Sequence, residues 1–237
     1  MPRLPILMYH NVYNDEKDSF KLTISKNKLE QQFQYLKKYN YTCFHLGELQ
    51  DKTSIPKKTI VITFHDLTES QYIYVLPLLK KYNLKATFFI AFAYIGQTDL
   101  WNEGTKKIMS YSQLMDIDPN YIEFGYHSFN HNNYKELTLD EIQLDFDECA
   151  QYIAEKNLKI YPALAYPYGS YPRKGIRNDN FNKILKDNNM LLGLRIGNRS
   201  NKFPFKNKYE IQRLDIKGEE GMFKFWYNIK LNHFIKI

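Results

Sequence analysis

Short apolar runs alternate with helical patterns along most of this 237-residue chain, and that alternation constrains its fold more than any other feature. The runs at residues 5–9 (PILMY), 41–46, 58–64 (KTIVITF), 85–95 (KATFFIAFAYI), 121–126 (YIEFGY), 160–166, 190–196 and 210–216 read as strands. KTIVITF is apolar and β-branched without alternation, which is the composition of a parallel strand buried on both faces. Between the strands, residues 27–39 place Leu29, Phe33 and Leu36 on one helical face. Residues 69–82 read as a helix kinked at Pro77, and 180–188 as a short helix. Residues 138–157 carry the best helical signal, with Thr138 and Glu141 in capping-box spacing ahead of Leu139, Ile142, Phe146, Cys149 and Ile153. About eight strands in alternation with helices, and no GxGxxG turn, predict a parallel α/β barrel rather than a Rossmann sheet.

Composition removes several classes. With 43% hydrophobic and 25% charged residues, the chain is neither disordered nor collagen-like. No apolar run approaches 18 residues, so no transmembrane helix is expected. Residues 1–12 hold too short an apolar stretch for a signal-peptide core, which makes the cytoplasm the expected compartment unless a leader has been trimmed. Cys43 and Cys149 form no CxxC pair, so neither a disulfide framework nor a zinc ribbon is expected. Net charge is +7 but uneven: from Arg173 onward 15 Lys and Arg face 6 Asp and Glu, whereas the first 172 residues are slightly acidic. Such a basic third can meet phosphate, anionic lipid or nucleic acid, or form a solvated lysine-rich surface. The positive residues are mostly Lys and no nucleic-acid motif is present, so no nucleic-acid partner is expected.

The polar residues of interest fall at strand ends. His10 follows ILMY, His65 and Asp66 follow TIVITF, His127 and His131 follow YIEFGY, and Pro167, Tyr168 and Gly169 follow ALAY. In a parallel barrel these ends open on one face, and that face carries catalysis. His127 and His131 are four apart, which suits one metal ion, and Asp66 adds a carboxylate oxygen. Two histidines and a carboxylate form the donor set of catalytic zinc; two polar loop histidines are the plainer alternative.

The ordered segments TFHD at 63–66, HSFNH at 127–131 and AYPYG at 165–169 resemble the polysaccharide deacetylases of carbohydrate esterase family four, the NodB-type homology domain. MYH at 8–10 resembles the branch that includes the poly-N-acetylglucosamine deacetylases. The resemblance implies a distorted (β/α) barrel with parallel strands, a single domain over residues 1–237 with its core at about 5–216 and a basic aromatic extension at 217–237. It implies a hydrolase that removes an acetyl group, N-acetyl before O-acetyl, from a glycan or a lipid- or nucleotide-linked glycan precursor. It implies one divalent metal on Asp66, His127 and His131, zinc first, with nickel or cobalt allowed by affinity order. The backbone N–H of Tyr168 matches the oxyanion contact and His10 the histidine that protonates the leaving amine. Arg213 matches the position of an arginine that orients the site; a salt-bridge role fits it equally.

Two positions depart from the pattern. The family's general-base Asp is replaced by His65, and Leu67 stands where a glycine is common. The first departure predicts slow hydrolysis, or His65 itself as base, and it motivates an alternative in which the protein is a non-catalytic metal- or glycan-binding relative. Trp101, Tyr126, Tyr161 and Tyr171 are candidate sugar-stacking residues, although packing explains each as well. Residues 222–237 alternate apolar and polar, the period of a half-buried strand, with a peripheral membrane-surface element as the alternative. The sequence sets no oligomeric state.

Overall fold

A computed structural model describes residues 2–231. In chain order its main elements are β1 (Ile6–Tyr9), α1 (Lys26–Lys38), β2 (Thr42–Cys43), β3 (Thr59–Phe64), α2 (Leu76–Tyr82), β4 (Ala86–Ile90), α3 (Tyr111–Met115) and β5 (Ile122–Tyr126). They continue with α4 (Leu139–Glu155), β6 (Ala163–Ala165), α5 (Gly175–Asp187), β7 (Leu192–Ile196), β8 (Ile211–Asp215) and α6 (Met222–Lys230).

Seven strands close on themselves in the order β1-β8-β7-β6-β5-β4-β3, with every pair parallel. Closure is made where Ile6 to Tyr9 pair with Val61 to Phe64. The barrel is distorted on the far side of β3, which meets β4 only at Thr63 and Phe64 while β2 pairs with Thr59 and Ile60. Every residue of β1, β3 and β4 is buried, as strands covered on both faces require. Ile6, Val61, Phe89, Ala163, Ala165, Leu194 and Ile211 belong to one buried cluster. Gly125 is required there, because a Cβ would lie 2.7 Å from the Phe89 ring.

The helices form where their caps and stripes allow. Ser25 caps α1, whose buried face is Leu29, Gln32, Phe33 and Leu36. Thr138 and Glu141 close both bonds of the capping box at α4. Among the described residues both cysteines are free, and no helix is long and apolar enough to cross a membrane.

Several expectations are corrected. The strand expected at 41–46 shrinks to β2, because the Glu123 carboxylate takes the N–H groups of Leu46 and Gly47 and turns the chain into a 3₁₀ helix at Gly47–Leu49. The strand expected at 85–95 stops at Ile90 and gives way to a 3₁₀ turn at Phe92–Tyr94. Pro77 sits in the first turn of α2, where its missing N–H is tolerated, and the irregularity is a π turn at Gln71–Val75. The helix at 180–188 begins earlier, at Gly175. Residues 222–230 form a helix, not a strand: Phe225 and Ile229 are four apart, so the same residues satisfy a helical period once packed. Phe225 meets Tyr35 of α1 edge-on, and Phe225 and Ile229 both belong to the main core cluster. Residues 232–237 of that expectation lie outside the described residues.

Candidate active site

The C-terminal ends of the strands open into a cavity of about 390 Å³ lined by His10, His65, Asp66, His127, His131, Tyr168 and Arg213. All seven sequence-derived site residues therefore converge, from segments as far apart as β1 and β8. The backbone pays for this convergence: Asp66, Leu67, Ser128, His131 and Tyr168 all have positive φ, between 55° and 69°. Such conformations persist in non-glycine residues only where the surroundings over-determine them, and functional sites are where they gather. Leu67 thus adopts the left-handed conformation that a glycine takes without strain.

Asp66 Oδ1 lies 3.5 Å from His127 Nε2 and 3.4 Å from His131 Nε2, and accepts no hydrogen bond. His127 Nδ1 is 2.6 Å from the Ala165 carbonyl oxygen, which accepts only from N–H. That bond assigns the proton to Nδ1 and leaves the Nε2 lone pair facing Asp66. Burial pushes the His65 and His127 imidazoles well below their ordinary range, so both are neutral near pH 7. Burial by itself raises the Asp66 carboxyl, but the facing imidazoles of His131, His10 and His127 outweigh it and hold the group well below the usual carboxylate range. An orphaned buried carboxylate oxygen beside the His127 lone pair fits a divalent cation.

His65 competes for the same place. His65, Asp66 and His127 offer ligand atoms that all lie within 4.8 Å of one another. Arg213 Nη1 contacts His65 Nε2, and a guanidinium can only donate, so that nitrogen carries the lone pair. The His65 proton is therefore on Nδ1, 3.1 Å from His127 Nε2. A donor chain runs from Arg213 through His65 and His127 to the Ala165 carbonyl. In this arrangement His65 has no free lone pair for a metal or for a proton from water. Arg213 is fully buried and burial lowers its pKa to about 9, which leaves it charged at neutral pH; its guanidinium sits 6.0 Å over the Phe89 ring. No carboxylate pairs with it among the described residues, so the salt-bridge alternative is not the one adopted.

His10 stacks on His65 at 5.0 Å and leaves its own Nδ1 unpartnered. Tyr168, more than half exposed, sets its ring edge-on to His131, whose other face stacks on Trp101 at 4.6 Å. Of the four aromatic candidates only Trp101 lines this cavity. Tyr171 is stacked on Tyr166, Tyr126 meets Phe92 edge-on, and Tyr161 packs beside Gly47 at the opposite end of the barrel.

Two positioning residues have no motif. Gln71, fully buried on the π turn, donates to the carbonyls of His10 (2.9 Å) and His65 (2.5 Å), tying two strand ends together. Asp145 of α4 accepts from Phe129 N (2.9 Å) and Tyr134 OH (2.6 Å), which pins the loop carrying His127 and His131. The one signal for Asp145 was an acid on the apolar face of α4, beside Ile142, Phe146 and Cys149.

A closed parallel barrel that presents a carboxylate and imidazoles at its strand ends has the architecture of a barrel hydrolase. The chain belongs to the polysaccharide deacetylase family, whose sequence model matches residues 52–190 and so contains Asp66, His127, His131 and Tyr168. It is 25% identical over 227 residues to the poly-β-1,6-N-acetyl-D-glucosamine N-deacetylase of Staphylococcus aureus, covering 90% of this chain and 75% of that protein. The Staphylococcus epidermidis protein of the same name is 24% identical, covering 94% of this chain and 78% of that one. Among solved structures, a Streptococcus pyogenes deacetylase in complex with acetate superposes with a TM-score of 0.80 at 22% identity, covering 97% and 100% of the two chains. IcaB from Ammonifex degensii gives 0.75 at 20% identity, covering 92% and 93%. At these identities the superpositions establish the fold alone, and the fold they share is the deacetylase barrel.

Proposed function

We propose that this protein hydrolyses the acetamide of N-acetylated sugars in a poly-N-acetylglucosamine-type polysaccharide, using a divalent cation, and that His65 slows the reaction. The observation that carries this is the meeting of Asp66 Oδ1 with His127 Nε2 and His131 Nε2 at the mouth of the barrel. Those three residues would hold the cation, zinc by the chemistry of the donor set, and it would polarise the acetamide carbonyl and activate water. Trp101 and Tyr168 flank His131 and offer faces to a pyranose. Tyr168 and His10 both line the cavity; the Tyr168 N–H would stabilise the oxyanion, and His10 would pass a proton to the leaving amine. Arg213 holds His65 in the tautomer described above.

The missing function is the base. A carboxylate at position 65 would accept both the Arg213 guanidinium and a proton from water; the imidazole accepts only the guanidinium. Loss of a general base costs about 10²–10⁴ in rate. His65→Asp should therefore raise acetate release by about that factor, with metal content at saturation unchanged. The panel for this measurement includes the polymer and lipid-linked and nucleotide-linked N-acetyl sugars. If the natural sequence turns over as fast as the variant, the impaired-enzyme proposal is wrong. If neither releases acetate while both bind cation and glycan, the protein is a binding relative of the deacetylases.

A further inference from the structure

Beside the active site lies a second cavity, of about 500 Å³, lined by Lys135, Ser170, Tyr171, Arg173, Lys174 and Arg177 together with Pro172. It contains four cationic side chains and no acidic one. None of the four pairs with a carboxylate among the described residues. Two of the cations are held in place by backbone oxygens rather than by acids. Arg173 Nη2 donates to the Gly169 carbonyl at 2.9 Å, with its guanidinium 5.2 Å over the Tyr171 ring, and Arg177 Nη2 donates to the Leu137 carbonyl. A guanidinium bonded this way keeps its charge and its remaining N–H groups for a ligand. The nearest acid on the same loop, Glu136, accepts from Asn133 and lines a different groove.

One chain segment runs from the lining of the active site to that of the cationic cavity. Tyr168 and Gly169 line the active-site cavity, and Ser170 to Lys174 line the cationic one. Four residues of chain span at most about 14 Å, so a group bound between the cations lies within a few sugar units of Gly169. Four clustered like charges repel one another and are stabilised by an anion that accepts from several at once. A tetrahedral phosphate offers three acceptor oxygens, and forked guanidiniums match it.

We propose that this cavity binds a phosphate group carried by the acetylated glycan, a few sugar units from the acetamide that is cleaved. This rests on the deacetylase proposal and narrows its substrate to a phosphate-bearing polysaccharide. It also gives a role to part of the basic excess that begins at Arg173.

The test compares two probes, a β-1,6-linked N-acetylglucosamine pentamer and the same pentamer carrying one terminal phosphate monoester. The variant is Lys135→Gln/Lys174→Gln, which leaves both anchored arginines in place; an unchanged melting curve shows that it folds, and Lys174→Gln alone serves if the double variant does not. For the natural sequence, kcat/KM and calorimetric affinity should both favour the phosphorylated pentamer. In the variant that preference should fall about tenfold, with the neutral pentamer unaffected. Equal use of the two pentamers, or a variant that weakens both alike, overturns the proposal. If neither pentamer is hydrolysed but only the phosphorylated one binds, and binding needs the lysines, the anion site stands and the deacetylase proposal fails. A short single-stranded RNA that displaces the phosphorylated pentamer at lower concentration than free phosphorylated pentamer does would replace the glycan with nucleic acid as the ligand, and also overturns the proposal.

Discussion

At the residue scale, His65 decides how the site behaves, because a donor occupies a position where an acceptor is useful. Its Nδ1–H points at the lone pair of His127 that a cation would use. Substitution by Asp removes that competitor, adds negative charge beside the cation, and gives the buried Arg213 a carboxylate partner. We expect His65→Asp to bind zinc about tenfold or more tightly, measured by competition with a chromophoric chelator, and to melt at a higher temperature without metal. Equal affinities would show that the His65 N–H does not contest the His127 lone pair. None of this was legible in the motif. TFHD showed the departure, but the partner that fixes the tautomer is 148 residues away in the chain.

At the scale of elements, the strand ends were legible and the supports behind them were not. ILMY, TIVITF, YIEFGY and ALAY are each followed within two residues by a residue that lines the cavity, and strand and motif are contiguous in sequence. Gln71 and Asp145 act across the fold from a π turn and a helix; nothing local marks Gln71, and an acid on an apolar helical face is the one mark of Asp145. Asp145 is 2% exposed and burial raises its carboxyl to about 6. Replacing it by Ala leaves Tyr134 OH and Phe129 N–H without their acceptor, at a cost of about 2–4 kcal/mol. Because the loss frees the loop carrying His127 and His131, cation affinity should fall as well, whereas Thr138→Ala at the α4 cap should cost about 1 kcal/mol and leave affinity intact. Chemical denaturation and metal titration of the two variants separate positioning from plain destabilisation. The misread α6 has a different cause: over nine residues an alternating pattern and a helical face share members, and only packing against α1 chooses.

At the scale of the whole molecule, the two ends of the barrel hold different charges for different ends. The C-terminal end holds an ionised Asp66 facing the imidazoles of His131, His10 and His127. The opposite end holds Glu123, whose carboxylate accepts from Thr87 Oγ1 (2.8 Å), Leu46 N (3.1 Å) and Gly47 N (2.9 Å) and so ties β5 and β4 to the loop after β2. Burial outweighs those bonds and raises its carboxyl to about 7. An acid whose folded pKa is raised binds more protons in the folded state than in the unfolded one. Its contribution to stability is therefore full below the unfolded value near 4.5 and declines as pH rises towards about 7. The raised Asp145 carboxyl acts in the same direction over the lower part of this window, up to about 6. Unfolding free energy should thus fall by about 1–3 kcal/mol between pH 5 and 7.5, before other groups are counted. Glu123→Gln removes one of the two titrations while keeping a carbonyl oxygen for the Leu46 or Gly47 N–H. Urea denaturation across that range should give a shallower pH dependence for the variant, and its lower stability at pH 5 should shrink or reverse by pH 7.5. A variant whose curve runs parallel to that of the natural sequence would place the Glu123 titration outside this window and the pH dependence elsewhere.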